Sequence, residues 1–440
     1  MIWGEKVSNP KVAFYTLGCK VNQNETEALG ALFRDHGYEI VEFTDVADIY
    51  VINTCTVTHL GDRKSRQIIR RAIKTNPNAL MVVTGCYAQA SPEEVEKIPG
   101  VDLIIGTSDR ARMIEIIEEH RKGQKPVTYV QDIMQAKDFE ELPVDKLINR
   151  TRAYLKVQEG CEQFCSYCII PYTRGPLRSR DIDNTIKEAN RLVDAGFQEI
   201  ILTGIHLGAF GEEKGPSSKN LAYLCQELLE KTKVKRLRIG SIEPTEVTEQ
   251  LINLMSENPR FCRHLHIPLQ NGDDQILKLM NRPYDTQRYR QIIQSIREKV
   301  PGIGITTDIM VGFPGEEESN FKNSLAFVKE MEFSGLHVFK YSPRKGTPAA
   351  SFANQVAPDI KEERSKAMQD LGKLGFQNFA QKFIGQVYEV LVETPWPQGG
   401  WEGHTDNYLR VVFKGESEKG TMAKVLLKKV KDNYILGQLV

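Results

Sequence analysis

Eight cysteines are spread over 440 residues, and six of them fall where thiolates could gather around a metal. Cys161, Cys165 and Cys168 occur as GCEQFCSYC, a C-x3-C-x2-C run after the strand-like AYLKVQ. Only a tight loop brings three sulfurs to one centre over so short a span, and an iron–sulfur cluster held by three of them keeps one iron open for a ligand. A structural zinc site wants a closed set of four, and no nearby His or Cys completes one. Cys19, Cys55 and Cys86 stand in TLGCKVN, NTCTVT and TGCYAQ, each just after an apolar run. If those runs are strands of one open parallel sheet, their carboxyl ends share an edge. Three thiolates distant in sequence then converge as a second such site. The bland reading, small buried residues that happen to end strands, suits one cysteine better than three.

The elements that must position these residues follow from periodicity. KVAFYTL (11–17), ADIYVIN (47–53), ALMVVTG (79–85) and VDLIIG (101–106) alternate with helical patterns, which predicts an α/β domain with a parallel open sheet over 10–122. One helix is expected from Asn24 to His36, with Gly37 just past its end. Residues 123–146, weakly periodic and containing two prolines, read as a linker. Beyond Cys168 come QEIILTG (198–204), VKRLRIGS (234–241), FCRHLHIPL (261–269), GIGITTDIM (302–310) and GLHVFKYS (335–342). With the strand before Cys161 they make six βα units, so 147–376 is expected to be a partial (β/α)6 TIM-type barrel with its chemistry at the carboxyl strand ends. Short strands separated by turn residues predict a small all-β, OB-like domain over 377–440.

Basic and acidic side chains balance at 58 each, so only local clusters could favour nucleic acid. Arg63, Arg66, Arg70 and Lys74 recur at steps of three and four, with Ile69 and Ile73 to bury on the other side. Arg174, Arg178 and Arg180 form a second basic cluster just past the three-cysteine loop. No apolar run approaches a membrane span and the first residues lack a secretory pattern, so a cytoplasmic protein with reduced thiols and no membrane partner is expected. Cys225 shares a helical face with Leu221, Leu224 and Leu228, and Cys262 begins a strand; both read as packing. His264 and His266 alternate with Leu265 and Ile267 and read as satisfied core or loop residues, with a barrel-lining role as the alternative.

GCEQFCSYC resembles the radical S-adenosylmethionine (SAM) enzymes, and the final β-rich segment resembles the TRAM domain of RNA-modifying enzymes. Through TLGCKVNQNETEAL and GCEQFCSYCIIPYTRGPLRSR, nearly the whole chain is similar to the radical SAM methylthiotransferase family, most closely to its branch acting on tRNA threonylcarbamoyladenosine. Asn24 stands where that family suggests Tyr, and Asn271 where it suggests Ser. The resemblance implies two 4Fe-4S clusters, SAM as methyl donor and radical source, and tRNA methylthiolated at carbon-2 of the adenine. It also implies an electron donor such as flavodoxin or ferredoxin. It puts Tyr167 beside the SAM adenine and Gly204 near the SAM amino group. Glu243, Gln270 and Gly312 fall at strand ends that meet the rest of SAM. A threonylcarbamoyl group carries a carboxylate, so an arginine of the 174–180 segment is expected to clamp it. Two other readings are a methylthiotransferase acting on a ribosomal protein side chain and a non-catalytic iron–sulfur RNA-binding protein. The first carries a different, LGCxKN-type pattern around the first cysteine. The second has no need of two cluster sites and an open barrel.

Overall fold

Alternate residues of the amino-terminal strands feed separate cores on the two faces of one sheet. The computed structural model describes residues 9–123, 127–142, 151–215 and 219–440. Strands β1 (Lys11–Thr16), β2 (Glu39–Val41), β3 (Ile49–Thr54), β4 (Leu80–Gly85), β5 (Leu103–Ile105) and β6 (Val127–Tyr129) are all parallel, in the order β2-β1-β3-β4-β5-β6. Ala13, Tyr50, Ile52, Met81 and Val83 enter one core. Val12, Ile49, Val51, Val82 and Leu103 enter the other. Helices α1 (Lys20–Asp35), α2 (His59–Thr75), α3 (Cys86–Ala90), α4 (Pro92–Glu96) and α5 (Met113–Gly123) supply the covering side chains. Burial on both sides is why these strands read as continuous apolar runs.

Two expectations are corrected here. The first helix begins at Lys20 rather than Asn24, and Cys19 is its N-cap residue in extended backbone. Residues 123–146 are more than a linker, because β6 adds an edge to the sheet, with Gly106 N–H donating to Tyr129 O at 2.9 Å. A strand of three residues is too short to show periodicity. Residues 124–126 and 143–150, including the expected boundary at 147, lie outside the described residues.

The chain divides into two units. One holds residues up to 147 together with 159–163 and 168–180; the other holds 148–158, 164–167 and 181–440. Short elements β8 (Gln158–Glu159), α6 (Ile170–Arg174) and β9 (Arg178–Ser179) flank the Cys161–Cys168 loop in sequence.

The second unit contains the six βα repeats. β7 (Arg152–Lys156), β10 (Glu199–Thr203) and β11 (Arg236–Ile239) form one parallel sheet, and β12 (His264–His266), β13 (Gly304–Val311) and β14 (Gly335–Lys340) another. Parallel bridges Leu237–Phe261 and Ser241–His266 join them, so the strands run in sequence order as an open barrel. Among the described residues no pairing closes β14 onto β7. Helices α7 (Ile182–Asp194), α8 (Leu221–Lys231), α9 (Glu249–Glu257), α10 (Asp274–Leu279) and α11 (Thr286–Lys299) each start behind a capping side chain, namely Asp181, Asn220, Thr248, Asp273 and Asp285. α12 (Glu318–Glu330) follows β13, and α13 (Pro358–Gln381) follows β14.

α13 runs past the expected boundary at 376, and its Phe379 and Ala380 enter the core of the last module. That module is a closed barrel of β15 (Val387–Pro395), β16 (Trp401–His404), β17 (Arg410–Lys414), β18 (Met422–Val430) and β19 (Ile435–Leu439). No described helix is long and apolar enough to cross a membrane.

Candidate metal centres and cofactor site

Cys19, Cys55 and Cys86 follow β1, β3 and β4, three adjacent strands of the first sheet, so strand order alone brings them to one edge. Cys19 is exposed, Cys55 partly buried and Cys86 buried, a graded descent from the surface. A Cβ placed on Gly18 would lie 3.2 Å from Cys55 Sγ, which shows how closely the loop after β1 meets the loop after β3. Gly85 has φ +94°, and a Cβ there would come within 2.4 Å of Asn53 Oδ1, so only glycine can turn the chain from β4 into Cys86. Burial, together with neighbouring Cys86 and Cys19, pushes the Cys55 thiol up to about 12. Cys19 and Cys55, made costlier to ionise by burial and by the sulfur of Cys86, suit a cation that neutralises them, and the donor set fits a cluster held on three sides.

The group that faces these sulfurs is an arginine expected to meet nucleic acid or substrate rather than a cysteine. Arg174 is 0 % exposed and spends every N–H inside the first unit. Its Nε donates to Cys86 Sγ at 3.2 Å; Nη1 reaches Glu25 at 2.6 Å and Glu159 at 3.3 Å; Nη2 reaches Asn22 Oδ1 at 2.6 Å and Glu25 at 3.2 Å. Arg110, also fully buried, pairs with Glu25 at 2.5 Å and with Glu140 at 2.8 Å. Asn22 further donates to Leu17 O and Thr54 O, which ties the loops after β1 and β3 together. The expected clamp at Arg174 is therefore corrected, since no donor is left for a substrate carboxylate. Arg178 is buried with Nη2 on Arg174 O at 2.9 Å, and Arg180 is buried against Glu141 at 2.7 Å.

The Cys161–Cys168 loop is shaped by two left-handed residues, Gly160 (φ +79°) and Phe164 (φ +45°). A Cβ on Gly160 would meet Pro176 O at 1.8 Å. Cys161 N–H donates to Gly175 O at 3.0 Å. In the second unit, Cys165 Sγ accepts from Arg282 Nη1 at 3.1 Å, and Arg282 also pairs with Glu243 and, through Nε, with Tyr284 Oη. Each unit thus sets one buried arginine against a cysteine of a candidate cluster.

Of the residues expected around SAM, Gly204, Glu243, Gln270 and Gly312 follow strands of the open barrel, and Tyr167 lies in the cysteine loop. Gly204, after β10, packs against the side chain of Gln158. Burial raises the Glu243 carboxyl despite its Arg282 partner. Gln270 has φ +66° and exchanges backbone bonds with β13, accepting from Met310 N at 2.7 Å and donating to Asp308 O at 2.9 Å. Gly312 N–H donates to Glu316 at 2.9 Å. Tyr167 packs edge-on to Phe313 at 6.4 Å. Asn271, where Ser was suggested, is buried and ties its turn to the loop after β13 by donating to Glu316 at 3.1 Å. Asn24 is also buried.

On α2, Arg63, Arg70 and Lys74 are exposed, as are Lys64 and Arg71, while Ile69 is fully buried. Arg66 differs from its neighbours, being held by Tyr87 Oη at 2.9 Å and Glu94 at 3.7 Å. Cys225 and Cys262 are buried, and burial pushes the Cys262 thiol up to about 12. His264 and His266 both bond to Thr306 and face the barrel lumen.

Comparison with known proteins finds three matching families: the uncharacterized protein family UPF0004 over residues 11–106, the radical SAM superfamily over 155–328 and the TRAM domain over 381–440. The chain is 46% identical over 435 residues to the threonylcarbamoyladenosine tRNA methylthiotransferase MtaB of Bacillus subtilis, covering 98% of this chain and 96% of that protein. It is 37% identical to the MtaB of Aquifex aeolicus (95% and 100% covered). It is 34% identical to the tRNA-2-methylthio-N(6)-dimethylallyladenosine synthase of Aquifex aeolicus (97% of each covered). Among solved structures, the radical SAM methyltransferase TsrM of Kitasatospora setae superposes with a TM-score of 0.59 at 14% identity, covering 78% of this chain and 77% of that one.

Proposed function

The chain belongs to the radical SAM methylthiotransferase family, and from that premise we propose that it places a methylthio group on carbon-2 of threonylcarbamoyladenosine next to the anticodon of tRNA. The observation that carries this reading is the meeting of Cys19, Cys55 and Cys86 at one edge of the first sheet, in a chain that also holds the Cys161, Cys165, Cys168 loop.

Cys161, Cys165 and Cys168 would hold the 4Fe-4S cluster that binds SAM, and Cys19, Cys55 and Cys86 the second cluster. When bound, the pair supplies what acid–base chemistry cannot, a carbon radical drawn from SAM and a sulfur to replace hydrogen at an unactivated aromatic carbon. Arg174 and Arg282 offset thiolate charge by donating to Cys86 and Cys165. Tyr167, Gly204, Glu243, Gln270 and Gly312 would bind SAM at the strand ends, with Arg282 fixing the orientation of the Glu243 carboxylate. Arg63, Arg70 and Lys74 present an exposed basic face for tRNA phosphates. The electron donor is expected to be a flavodoxin or ferredoxin and the site of action the cytoplasm.

The test is mass spectrometry of tRNA nucleosides from cells lacking the protein. The methylthio derivative of threonylcarbamoyladenosine should vanish while its unthiolated precursor accumulates and the isopentenyl series stays intact. A normal level of that derivative would overturn the proposal.

A further inference from the structure

With every donor of Arg174 engaged, the threonyl carboxylate needs another hydrogen-bond donor, and the barrel lumen offers one. On β13, Ile305, Thr307, Ile309 and Val311 are buried, whereas Thr306, Asp308 and Met310 alternate with them on the partly open side. Strand register pairs His266 with Thr306 and Asp308 with His337, so three adjacent strands contribute to one patch. Leu336 packs under Gly372 of α13, which puts its neighbour His337 on the opposite, lumen side.

Hydrogen bonds order this patch. Thr306 Oγ1 lies 2.9 Å from His266 Nδ1. Asp308 Oδ1 lies 3.2 Å from His266 Nε2 and 3.4 Å from His337 Nδ1. The two imidazoles stack at 5.2 Å. Burial alone would raise the Asp308 carboxyl, but hydrogen bonds from both rings hold it well below the usual range, so it is an anion at neutral pH. Both nitrogens of His266 are engaged. His337 is 62% exposed on the edge strand, and its Nε2 takes no partner among the described residues. Of the other cations on these strands and loops, Arg152, Arg236 and Arg238 pair with Glu199, and Arg282 with Glu243 and Cys165.

We propose that His337, braced by Asp308 and stacked on His266, reads the threonylcarbamoyl group, its Nε2–H donating to the threonyl carboxylate; the inference rests on the tRNA reading above. Asp308 faces Nδ1 and the substrate carboxylate would face Nε2, so the ring would bridge two carboxylates with a charge-assisted bond to the substrate. An isopentenyl group has no acceptor for that nitrogen, so it would strip water from His337 without replacing the bond.

The experiment measures binding of anticodon stem-loops to the cluster-loaded enzyme in the presence of SAM, with turnover followed in parallel. The stem-loops carry threonylcarbamoyl, its carboxyl methyl ester, or isopentenyl. Wild type should bind the free acid about ten- to a hundredfold more tightly than the ester. His337→Gln should bring acid and ester to near equality and leave the isopentenyl stem-loop unchanged. His337→Arg, which keeps an N–H donor on the same exposed strand, should keep the preference for the acid. A preference for the acid that survives in His337→Gln, an equal weakening of all three stem-loops, or a wild type indifferent to esterification would overturn the inference. Failure of wild type to methylthiolate the threonylcarbamoyl stem-loop at all would instead overturn the function proposed above, and the inference with it.

Discussion

Replacing Arg174 by Leu separates a structural arginine from a substrate clamp. Arg174 is fully buried and bonds Glu25, Glu159, Asn22 and Cys86, so its loss leaves Glu25, Glu159 and Glu140 to share Arg110. Removing one partner of a buried ion pair costs about 3–5 kcal/mol. The low end applies here, because Glu25 keeps Arg110 at 2.5 Å. Urea denaturation of the metal-free chain, followed by a probe in the amino-terminal sheet, should show a loss of about 3 kcal/mol. Glu25→Gln should cost a similar amount, and the double variant much less than the sum, because the two residues share one network. The Arg174→Leu enzyme should lose methylthiolation of the threonylcarbamoyl stem-loop and of its carboxyl methyl ester by the same factor. Unchanged stability together with a selective loss on the threonylcarbamoyl substrate would refute this reasoning and restore Arg174 as a clamp.

Changing Cys19, Cys55 and Cys86 to Ala should leave about half the iron of the reconstituted wild type and preserve SAM cleavage while stopping sulfur transfer. Changing Cys161, Cys165 and Cys168 should also halve the iron but abolish SAM cleavage; iron assays with 5′-deoxyadenosine quantification check both. Reversing the exposed Arg63, Arg70 and Lys74 to Glu should weaken tRNA binding and reduce its salt slope by about 3, as filter binding across salt concentrations would show, whereas Arg66→Ala should act chiefly through Tyr87 and Glu94. Glu199 gives a pH signature: burial would raise it, but Arg238 and Arg152 hold it down, from 4.5 to about 2. A lowered acid contributes stability that is complete above its unfolded value and disappears as pH falls through the folded one, here about 3 kcal/mol lost between pH 4.5 and 2. The stability gap between wild type and Glu199→Gln, measured by denaturation of the metal-free chain, should therefore narrow below pH 4.5, and a constant gap down to pH 3 would refute it.

The strands and cysteine positions were legible because each depends on a local pattern: an apolar run buried on both faces, then a cysteine at its carboxyl end. Strand order in a parallel sheet turns that pattern into proximity, which is how residues 19, 55 and 86 meet. β6 escaped because three residues at a sheet edge carry no periodicity. The partners of the cysteines escaped for a different reason. Arg174 looked like one of a basic run and Arg282 like any loop arginine, since burial and pairing with Glu25 and Glu243 are properties of the folded chain. The same limit applied to His266, whose alternation with Leu265 and Ile267 revealed a face but not the Asp308 and His337 waiting on it.

The amino ends of the barrel strands are closed by the carboxyl-terminal module of the same unit. Arg152, Glu199, Arg236 and His264 are the first residues of β7, β10, β11 and β12, so they gather at the amino ends of the strands. Such a ring of charge would hydrate an open pore. Here the turn between β16 and β17 fills it: Tyr408 stacks on His264 at 4.4 Å and on His404 at 4.9 Å, with the guanidiniums of Arg238 and Arg152 at 4.8 and 5.4 Å from its ring. Arg236 donates to His404 O at 3.1 Å and to Glu389 O at 2.7 Å, while Asn407 donates to Gly302 O at 3.2 Å. Tyr408 itself sits at φ +69°, a conformation a bulky residue keeps only where its surroundings impose it. The carboxyl-terminal module is therefore a stopper as well as a surface. With the base filled by this turn and, among the described residues, no pairing between β7 and β14, the barrel stays open at one side, and His337 stands exposed on its edge strand β14.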